Sequence, residues 1–236
     1  MLFISPPFGN YIQLPHTTSI YGSFTLDPRP GLWMQVCKTL RYSLQYNAWV
    51  NQIGLRNKGI DWALKHVPTN HIISVAIIHP HEIKPLSQKI PCTRNIELNI
   101  SCPNVQKSYK DLEPLKTFLS TKRKWCIIKV SPLCTFSQID MYYQQGFRQF
   151  HCSNTYPTPY GGMSGTILQK YNEPLIQYIR LKYPDTEIIG GGGIQTWNHV
   201  QLYSSWGANH FAISTACFRP LKLVSLYYSY IKTLHK

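Results

Sequence analysis

The residue types best suited to chemistry lie close together near the middle of the chain. Residues 96–100 read as a short apolar strand, which runs directly into Asn99, Cys102 and Asn104. A lone cysteine is usually a small buried apolar residue, but two amides and a thiol at the end of a strand contribute little to a core. Amides offer hydrogen-bond donors and acceptors, and a thiolate can remove a proton. The segment predicts a site that binds a planar polar ligand and moves a proton on it, with Cys102 as the base.

Further asparagines fall at comparable places. Asn51 lies in the loop after the second predicted strand, and Asn154 follows a later strand. A single asparagine is more often a turn residue. Together with Asn99 and Asn104, however, these amides would suit a ligand with alternating N–H and C=O groups, such as a pyrimidine dione.

Two glycine- and hydroxyl-containing turns late in the chain predict an anion site. A run of glycines that includes Gly192 and Gly193 follows an apolar strand and precedes a helix, and the next strand ends at Ser214 and Thr215. Glycine allows backbone N–H groups to approach an anion, and a helix N-terminus favours the same charge. In (β/α)8 barrels the loops after strands seven and eight commonly bind phosphate. The alternative is a flexible turn followed by a helix cap.

Two weaker signals complete the candidate set. Lys129 ends an apolar strand, where a lysine is hard to justify as packing, and its side chain could stabilise negative charge on a bound ligand. The alternative is a lysine that extends to the surface. The small-residue segment 161–165, which contains Gly162, reads as a tight loop.

The elements that must position these residues alternate along the chain. Strands followed by helices imply a parallel sheet, and eight such units would close a (β/α)8 TIM barrel; a doubly wound sheet is the alternative. Prolines and glycines leave little room for a helix in the first unit, and the 34–46 segment reads as helical. The predicted strands are 2–4, 20–26, 72–78, 96–100, 125–130, 149–153, 187–190 and 211–214, and the predicted helices are 62–66, 111–121, 137–145, 174–182, 197–205 and 221–234.

Composition narrows the class of protein. The 236 residues fit one domain, and a net charge of +14 suggests anionic ligands or partners without choosing between them. Seven cysteines without a CxxC pair favour reduced thiols in a cytoplasmic compartment over a disulfide framework or a metal site. The sequence shows no signal peptide and no run long enough to span a bilayer, so we expect no membrane association. Nucleophile-elbow, HExxH and P-loop motifs are absent.

Taken in order, these pieces resemble the dihydroorotate dehydrogenase family over most of the chain. The segment ELNISCPN is specific, and the remaining pieces gain weight from their shared order. The matching pieces are Gly22-Ser23 with Thr25-Leu26, Asn51 with residues 53–57, residues 59–61, ELNISCPN, IIKVSP around Lys129, Ser153-Asn154-Thr155, GGMSG, IIGGGGI, and Ser214-Thr215.

The resemblance implies roles for these residues. The cofactor would be flavin mononucleotide (FMN), with its phosphate held by Gly192, Gly193, Ser214 and Thr215, and with Gly22, Ser23, Lys129, Ser153 and Gly162 contributing to the flavin site. The substrate would be dihydroorotate, bound by Asn51, Asn99, Asn104, Asn154 and Thr155. Cys102 would remove the C5 proton while hydride passes from C6 to flavin N5. A cysteine at this position resembles the soluble branch of the family, which also suggests a homodimer.

Departures from the family leave alternatives open. The first βα unit is reduced, several loops are shortened, and Pro28 stands where the soluble branch often has a lysine. One alternative is a flavin reductase acting on RNA, similar to the tRNA dihydrouridine synthases, which the basic charge would suit. Another is a catalytically impaired barrel with a binding role. We expect a compact, single flavin-binding barrel domain over residues 1–236, with the electron acceptor undetermined.

Overall fold

Parallel strands close into a barrel in the computed structural model, which describes residues 1–100 and 113–235. Around the barrel the described strands follow the order β1-β12-β11-β8-β7-β6-β5-β2, and β1 pairs with β2 to close it. This confirms the predicted (β/α)8 fold. The described strands are β1 (Leu2–Ile4), β2 (Thr17–Phe24), β3 (Arg41–Ser43), β4 (Ala48–Asn51), β5 (Ile72–Ala76), β6 (Ile96–Asn99), β7 (Cys126–Val130), β8 (Gln149–Cys152), β9 (Tyr156–Thr158), β10 (Gly161–Gly165), β11 (Glu187–Gly191) and β12 (His210–Ile213).

The barrel strands form where the sequence has short apolar runs. The strands β5 and β7 are buried along their whole length, as expected when helices cover the outside of a parallel sheet. Each predicted strand coincides with a barrel strand, with ends that differ by three residues or fewer.

Helices cover the outside of the barrel. The predicted 197–205 helix is found unchanged, whereas the helix predicted over 111–121 is a 3-10 helix in its described part. The described α-helices are α1 (Leu32–Thr39), α2 (Ile60–His66), α3 (Ile83–Lys89), α4 (Phe136–Gln144), α5 (Gln169–Lys182), α6 (Trp197–Ser205) and α7 (Pro220–Leu234), and the 3-10 helices are Phe8–Asn10, Pro80–Glu82, Glu113–Phe118, Thr166–Leu168 and Thr215–Phe218.

The helix predicted over 34–46 is wrong in its second half. Helix α1 ends at Thr39, and β3 then pairs antiparallel with β4. The rings of Tyr42 and Trp49 pack across this pair with centroids 5.2 Å apart. Cross-strand aromatic pairing of this kind stabilises a hairpin and has no counterpart in local helical periodicity.

A second, four-stranded sheet stands beside the barrel in the order β3-β4-β10-β9. The 161–165 segment, predicted as a tight loop, is instead strand β10, because it pairs with β4 from more than a hundred residues earlier. A Cβ on Gly161 would lie 2.1 Å from the carbonyl oxygen of Asn51. Glycine is therefore needed here for close approach of two strands.

The first βα connection contains one turn of 3-10 helix, Phe8–Asn10, in place of a full helix. This agrees with the reduced first unit expected from the prolines and glycines of that segment. Among the described helices, none has the length and apolar character needed to cross a membrane.

The amino-terminal half of the barrel interior is filled by apolar side chains. The ring of Phe3 packs edge-on against Trp125 with centroids 5.3 Å apart, and Phe3 is fully buried. The interior cluster consists of Phe3, Ile20, Ile72, Trp125, Ile127, Ile189 and Ala212. This end of the barrel is a packed core, so we expect a ligand site at the other end.

Candidate active site

A cavity of roughly 600 Å³ opens at the carboxyl ends of the barrel strands, within the size range of cofactor sites. Barrel strands and the second sheet both contribute to its walls. Asn51, for example, comes from the end of β4, and Asn99 comes from the end of β6. The lining includes the predicted residues Gly22, Ser23, Asn51, Asn99, Lys129, Ser153, Asn154, Thr155, Gly192, Gly193, Ser214 and Thr215.

Three predicted residues are not placed in the cavity. Cys102 and Asn104 lie outside the described residues, so their roles stay predictions. Gly162 is buried in β10, where it pairs with Asn51 and Pro157, and it is not among the residues that line the cavity. Its position indicates that it supports the strand carrying Asn51.

The amides of Asn99 and Asn154 are joined directly. Asn154 Nδ2 donates to Asn99 Oδ1 at 2.9 Å, and Asn154 Oδ1 accepts from the backbone N–H of Thr155 at 2.9 Å. Asn99 Nδ2 donates to Ser23 Oγ at 2.8 Å, and Ser23 Oγ lies 2.9 Å from Ser74 Oγ. Three strands, β2, β5 and β6, and the loop after β8 thereby hold a continuous row of polar groups in fixed positions.

A buried charged cluster lies directly beneath these amides. Glu97 is fully buried; its Oε1 accepts from Ser74 Oγ at 2.9 Å and from Lys129 Nζ at 3.4 Å. Its other oxygen accepts from His151 Nδ1 at 2.6 Å. Because Lys129 faces the cavity while Glu97 lies deeper, the ammonium has both a ligand-facing position and a fixed counter-ion.

Protonation states follow from this arrangement. Burial alone would raise the pKa of the Glu97 carboxyl, but the Lys129 ammonium and the hydrogen bonds from His151 and Ser74 lower that pKa to about 2. Burial and the Lys129 charge lower the pKa of the His151 imidazole, and the charge and hydrogen bond of Glu97 offset only part of this shift. At neutral pH the Glu97 carboxyl is therefore ionised, and the lowered pKa of His151 favours a neutral imidazole that donates from Nδ1 to this carboxylate.

The glycine loop after β11 is held by hydrogen bonds to its carbonyls. Asn172 Nδ2 donates to the carbonyl of Gly191 at 2.7 Å, and Tyr203 Oη donates to that of Gly192 at 2.6 Å. Gly193 has a φ of +75°, and a Cβ there would lie 2.6 Å from the carbonyl oxygen of Gly165. The peptide groups beside the cavity are thus fixed before a ligand arrives.

Arg219 adds positive charge next to this loop and was not identified from the sequence. Its guanidinium donates to Gln195 Oε1 at 2.9 Å and to Tyr42 Oη at 3.1 Å, both neutral groups. Arg219 follows the 3-10 helix that begins at Thr215. An arginine with these neutral partners beside two anion-type loops favours phosphate binding.

An aromatic wall completes the cavity. Trp49 stacks on Phe218 with ring centroids 4.2 Å apart, and Phe218 also packs against Phe8 at 4.7 Å. All three side chains line the cavity. An apolar surface beside the polar row suits a flat ring with polar edges.

The residues missed by sequence reasoning did leave a signal. Glu97 and His151, like the predicted Lys129, each place an ionisable side chain in a buried strand, pointing to the barrel interior two residues from another inward-facing position. Period-two placement of charged groups inside buried strands predicts a paired interior cluster, because unpaired charges are costly to bury.

The fold and the cavity together define a (β/α)8 barrel whose polar groups gather at the carboxyl ends of the strands, where barrel enzymes have their active sites. No protein-family model matches the chain. It is 29% identical over 206 aligned positions to the catalytic subunit of dihydroorotate dehydrogenase B (NAD(+)) from Bacteroides thetaiotaomicron, covering 72% of this chain and 67% of that protein. The corresponding subunit from Thermotoga petrophila is 22% identical over 258 aligned positions, covering 93% of this chain and 94% of the relative.

A solved structure agrees on the fold. The structure of Eimeria tenella DHODH in complex with ferulenol superimposes with a TM-score of 0.71 at 15% sequence identity, covering 92% of this chain and 75% of that one. The chain is therefore similar in sequence to dihydroorotate dehydrogenases, and these findings support a divergent relative of that family.

Proposed function

We propose that this protein is an FMN-dependent enzyme that oxidises dihydroorotate to orotate, within a single flavin-binding domain over residues 1–236. The observation that carries the proposal is the joined pair of amides, Asn99 and Asn154, beside Lys129 in one cavity. A pyrimidine dione presents the alternating donors and acceptors that such amides complement. The relatives named above are dihydroorotate dehydrogenases, which supports the same substrate.

The described residues fit FMN. The fixed peptide groups at Gly192 and Gly193, with Ser214 and Thr215, would hold its phosphate, and Arg219 would add positive charge. Gly22, Ser23, Lys129 and Ser153 would contact its ring system beside the aromatic wall. Bound FMN would accept the hydride that leaves C6 of the substrate.

The amides would orient the substrate. Asn51, Asn99, Asn154 and Thr155 line one cavity, although they come from two sheets and a loop. Fixed donors and acceptors hold a flat ring in one orientation, which lowers the entropic part of the barrier. We place Asn104 in the same group from the sequence alone.

Proton removal is assigned to Cys102 from the sequence motif. The thiolate would take the C5 proton, and the electron pair of that C–H bond would form the C5=C6 double bond as hydride departs from C6. The ammonium of Lys129 would stabilise negative charge that develops on the ring system nearby.

The cellular compartment and the oligomeric state are also proposals. All six cysteines among the described residues are free thiols, which supports a reducing compartment such as the cytoplasm. We also propose that the protein is a homodimer, because its sequence resembles the soluble branch of the family.

A rapid-mixing experiment tests the reaction. The FMN-loaded protein is mixed anaerobically with dihydroorotate, and loss of the flavin absorption is followed in wild type, Cys102→Ala and Cys92→Ala. We expect wild type and Cys92→Ala to bleach at the same rate, because Cys92 is exposed at the opposite end of the barrel. We expect Cys102→Ala to bleach about 10²-fold more slowly. A wild type that retains FMN and does not bleach would contradict the proposed substrate.

A further inference from the structure

A row of hydrogen bonds connects the buried charge of Glu97 to the amides in the cavity. The row runs from Glu97 through Ser74 and Ser23 to Asn99 and Asn154, with successive distances of 2.9, 2.9, 2.8 and 2.9 Å. We call these five residues the relay. Its two ends differ in setting, because Glu97 is fully buried whereas Asn154 lines the cavity and is partly exposed.

The ionised carboxylate fixes the direction of every bond in the relay. A carboxylate only accepts, so Ser74 must donate its hydroxyl proton to Glu97. A serine hydroxyl has only one proton, so in the bond between the two serines Ser23 must donate to the Ser74 oxygen. The Ser23 oxygen is left as an acceptor, which requires an N–H group from Asn99.

The orientations of the two amides follow from the same assignment of donors and acceptors. With Nδ2 of Asn99 directed at Ser23, its Oδ1 faces Asn154 and accepts from the Asn154 Nδ2. Asn154 Oδ1 accepts from the Thr155 N–H, which agrees with this orientation. Amide oxygen and nitrogen atoms are nearly isosteric, so without the charged end Ser74, Ser23 and Asn99 could reverse, and only the Thr155 N–H would orient Asn154.

Lys129 and His151 keep the carboxylate in the required state. The ammonium lies 3.4 Å from Oε1, and the imidazole donates to Oε2 at 2.6 Å. Each oxygen of Glu97 therefore receives a donor that is independent of Ser74. The direction of the relay is set before any ligand binds.

We propose that Glu97 is a positioning residue that acts through the relay to orient the amides of Asn99 and Asn154, and thereby selects the ligand. In this orientation the relay uses one Nδ2 hydrogen of Asn154 and leaves the other to donate. The site then favours ring ligands that present a carbonyl or carboxylate oxygen to Asn154 over ligands that present an amino group. This selection rests on the proposed function, since it specifies the substrate class of the same site.

The first test uses the ligand-free protein. Side-chain amide N–H signals are recorded by NMR for wild type, Glu97→Gln, Ser74→Ala and a control, Glu82→Gln. Glu82 is also buried and accepts from the backbone N–H groups of Ile78 and His79, apart from the relay. We expect the first two variants to shift the Nδ2 signals of Asn154, with no shift for Glu82→Gln. The signal of Asn172, which bonds to Gly191 and Tyr203, serves as an internal reference.

Ser74→Ala is the sharper of the two variants. It cuts the relay but leaves Glu97, Lys129 and His151 in contact, so it introduces no unpaired buried charge. An Asn154 signal that stays in its wild-type position in folded Ser74→Ala would overturn the proposal. So would equal shifts of Asn154 and Asn172, because they would indicate a general structural change.

The second test measures ligand selection by calorimetry on the same proteins loaded with FMN. The ligands are orotate, its analogue with an amino group in place of the C4 oxygen, and its carboxamide. We expect wild type to prefer orotate over at least one analogue by about tenfold or more, and this preference to fall towards unity in Ser74→Ala. A preference that is unchanged in Ser74→Ala would contradict selection through the relay.

The two tests separate the failure of this inference from the failure of the proposed function. Shifted Asn154 signals in a protein that binds none of the three ligands would support the relay and reject the substrate. Tight orotate binding with unshifted Asn154 signals would support the substrate and reject the relay.

Discussion

The two ends of the barrel interior are built from the same strands, but one end is filled by apolar side chains and the other by polar and charged ones. In β7 the inward-facing Ile127 packs in the apolar cluster with Phe3, and two residues later Lys129 reaches the cavity. The amino end is packed with apolar side chains, whereas the carboxyl end buries the ionised carboxylate of Glu97 and orders polar groups above it.

The difference separates stability from function. Apolar packing at the amino end stabilises the barrel in proportion to the area it buries. The charged cluster at the other end is weak support for stability, because desolvation offsets most of the attraction within a buried ion pair. Its retention in the interior is better explained by the positions it imposes on cavity residues. Substitutions at the two ends should therefore have distinct consequences.

The largest effect is expected at the amino end. Phe3→Ala removes a fully buried ring that packs against Trp125, and we expect it to lower the free energy of unfolding by about 3–5 kcal/mol. Urea unfolding measures this loss. Under conditions where the variant is folded, its affinity for orotate should equal that of wild type. A large change in orotate affinity would contradict the proposed separation of stability at the amino end from ligand binding at the carboxyl end.

The next effect concerns acid stability. The folded-state pKa of Glu97, about 2, lies below its ordinary value of 4.5, so its contribution is present above pH 4.5 and is lost as the pH falls towards 2. The shift corresponds to about 3 kcal/mol at most. Glu97→Gln should unfold with a flatter dependence on pH across this window in urea titrations. Parallel curves for the two proteins would show that Glu97 is not ionised through the window.

A smaller effect on stability and a larger one on binding are expected at Asn154. Asn154→Ala removes a hydrogen-bonding side chain that is partly exposed at the cavity. We expect orotate affinity to fall about 10- to 100-fold, and the free energy of unfolding to change by less than about 1 kcal/mol. Calorimetry and urea unfolding on one preparation measure both. Loss of stability with unchanged affinity would assign Asn154 to the fold.

The smallest expected effect sharpens the assignment of the phosphate end. Arg219→Ala should weaken FMN binding about tenfold, because the guanidinium stands beside both anion-type loops. Arg148→Ala is the matched control, since Arg148 pairs with Asp185 at 2.9 Å on the surface of the amino end. Fluorescence quenching of FMN measures both affinities. Equal losses of FMN affinity in the two variants would indicate that the overall basic charge of the protein, and not Arg219 in particular, attracts the phosphate.

The sequence predicted the part of the fold that local patterns encode. Barrel strands coincide with apolar runs, and the cavity collects the amides and small residues found at their ends. It failed for β3 and β10, whose structure depends on partners distant in sequence. The relay was missed for the same reason, because Ser74 is recognised as part of it only from its contacts with Glu97 and Ser23, which are distant in sequence. Cys102 and Asn104, outside the described residues, remain predictions.

The most direct test of the central claim is an anaerobic single-turnover measurement of product. FMN-loaded protein is mixed with excess dihydroorotate without an electron acceptor, and orotate is quantified by chromatography. If the carboxyl end of the barrel is a dihydroorotate-oxidising site, orotate should form in an amount equal to the flavin that is reduced. Bound FMN with no orotate formed would contradict it.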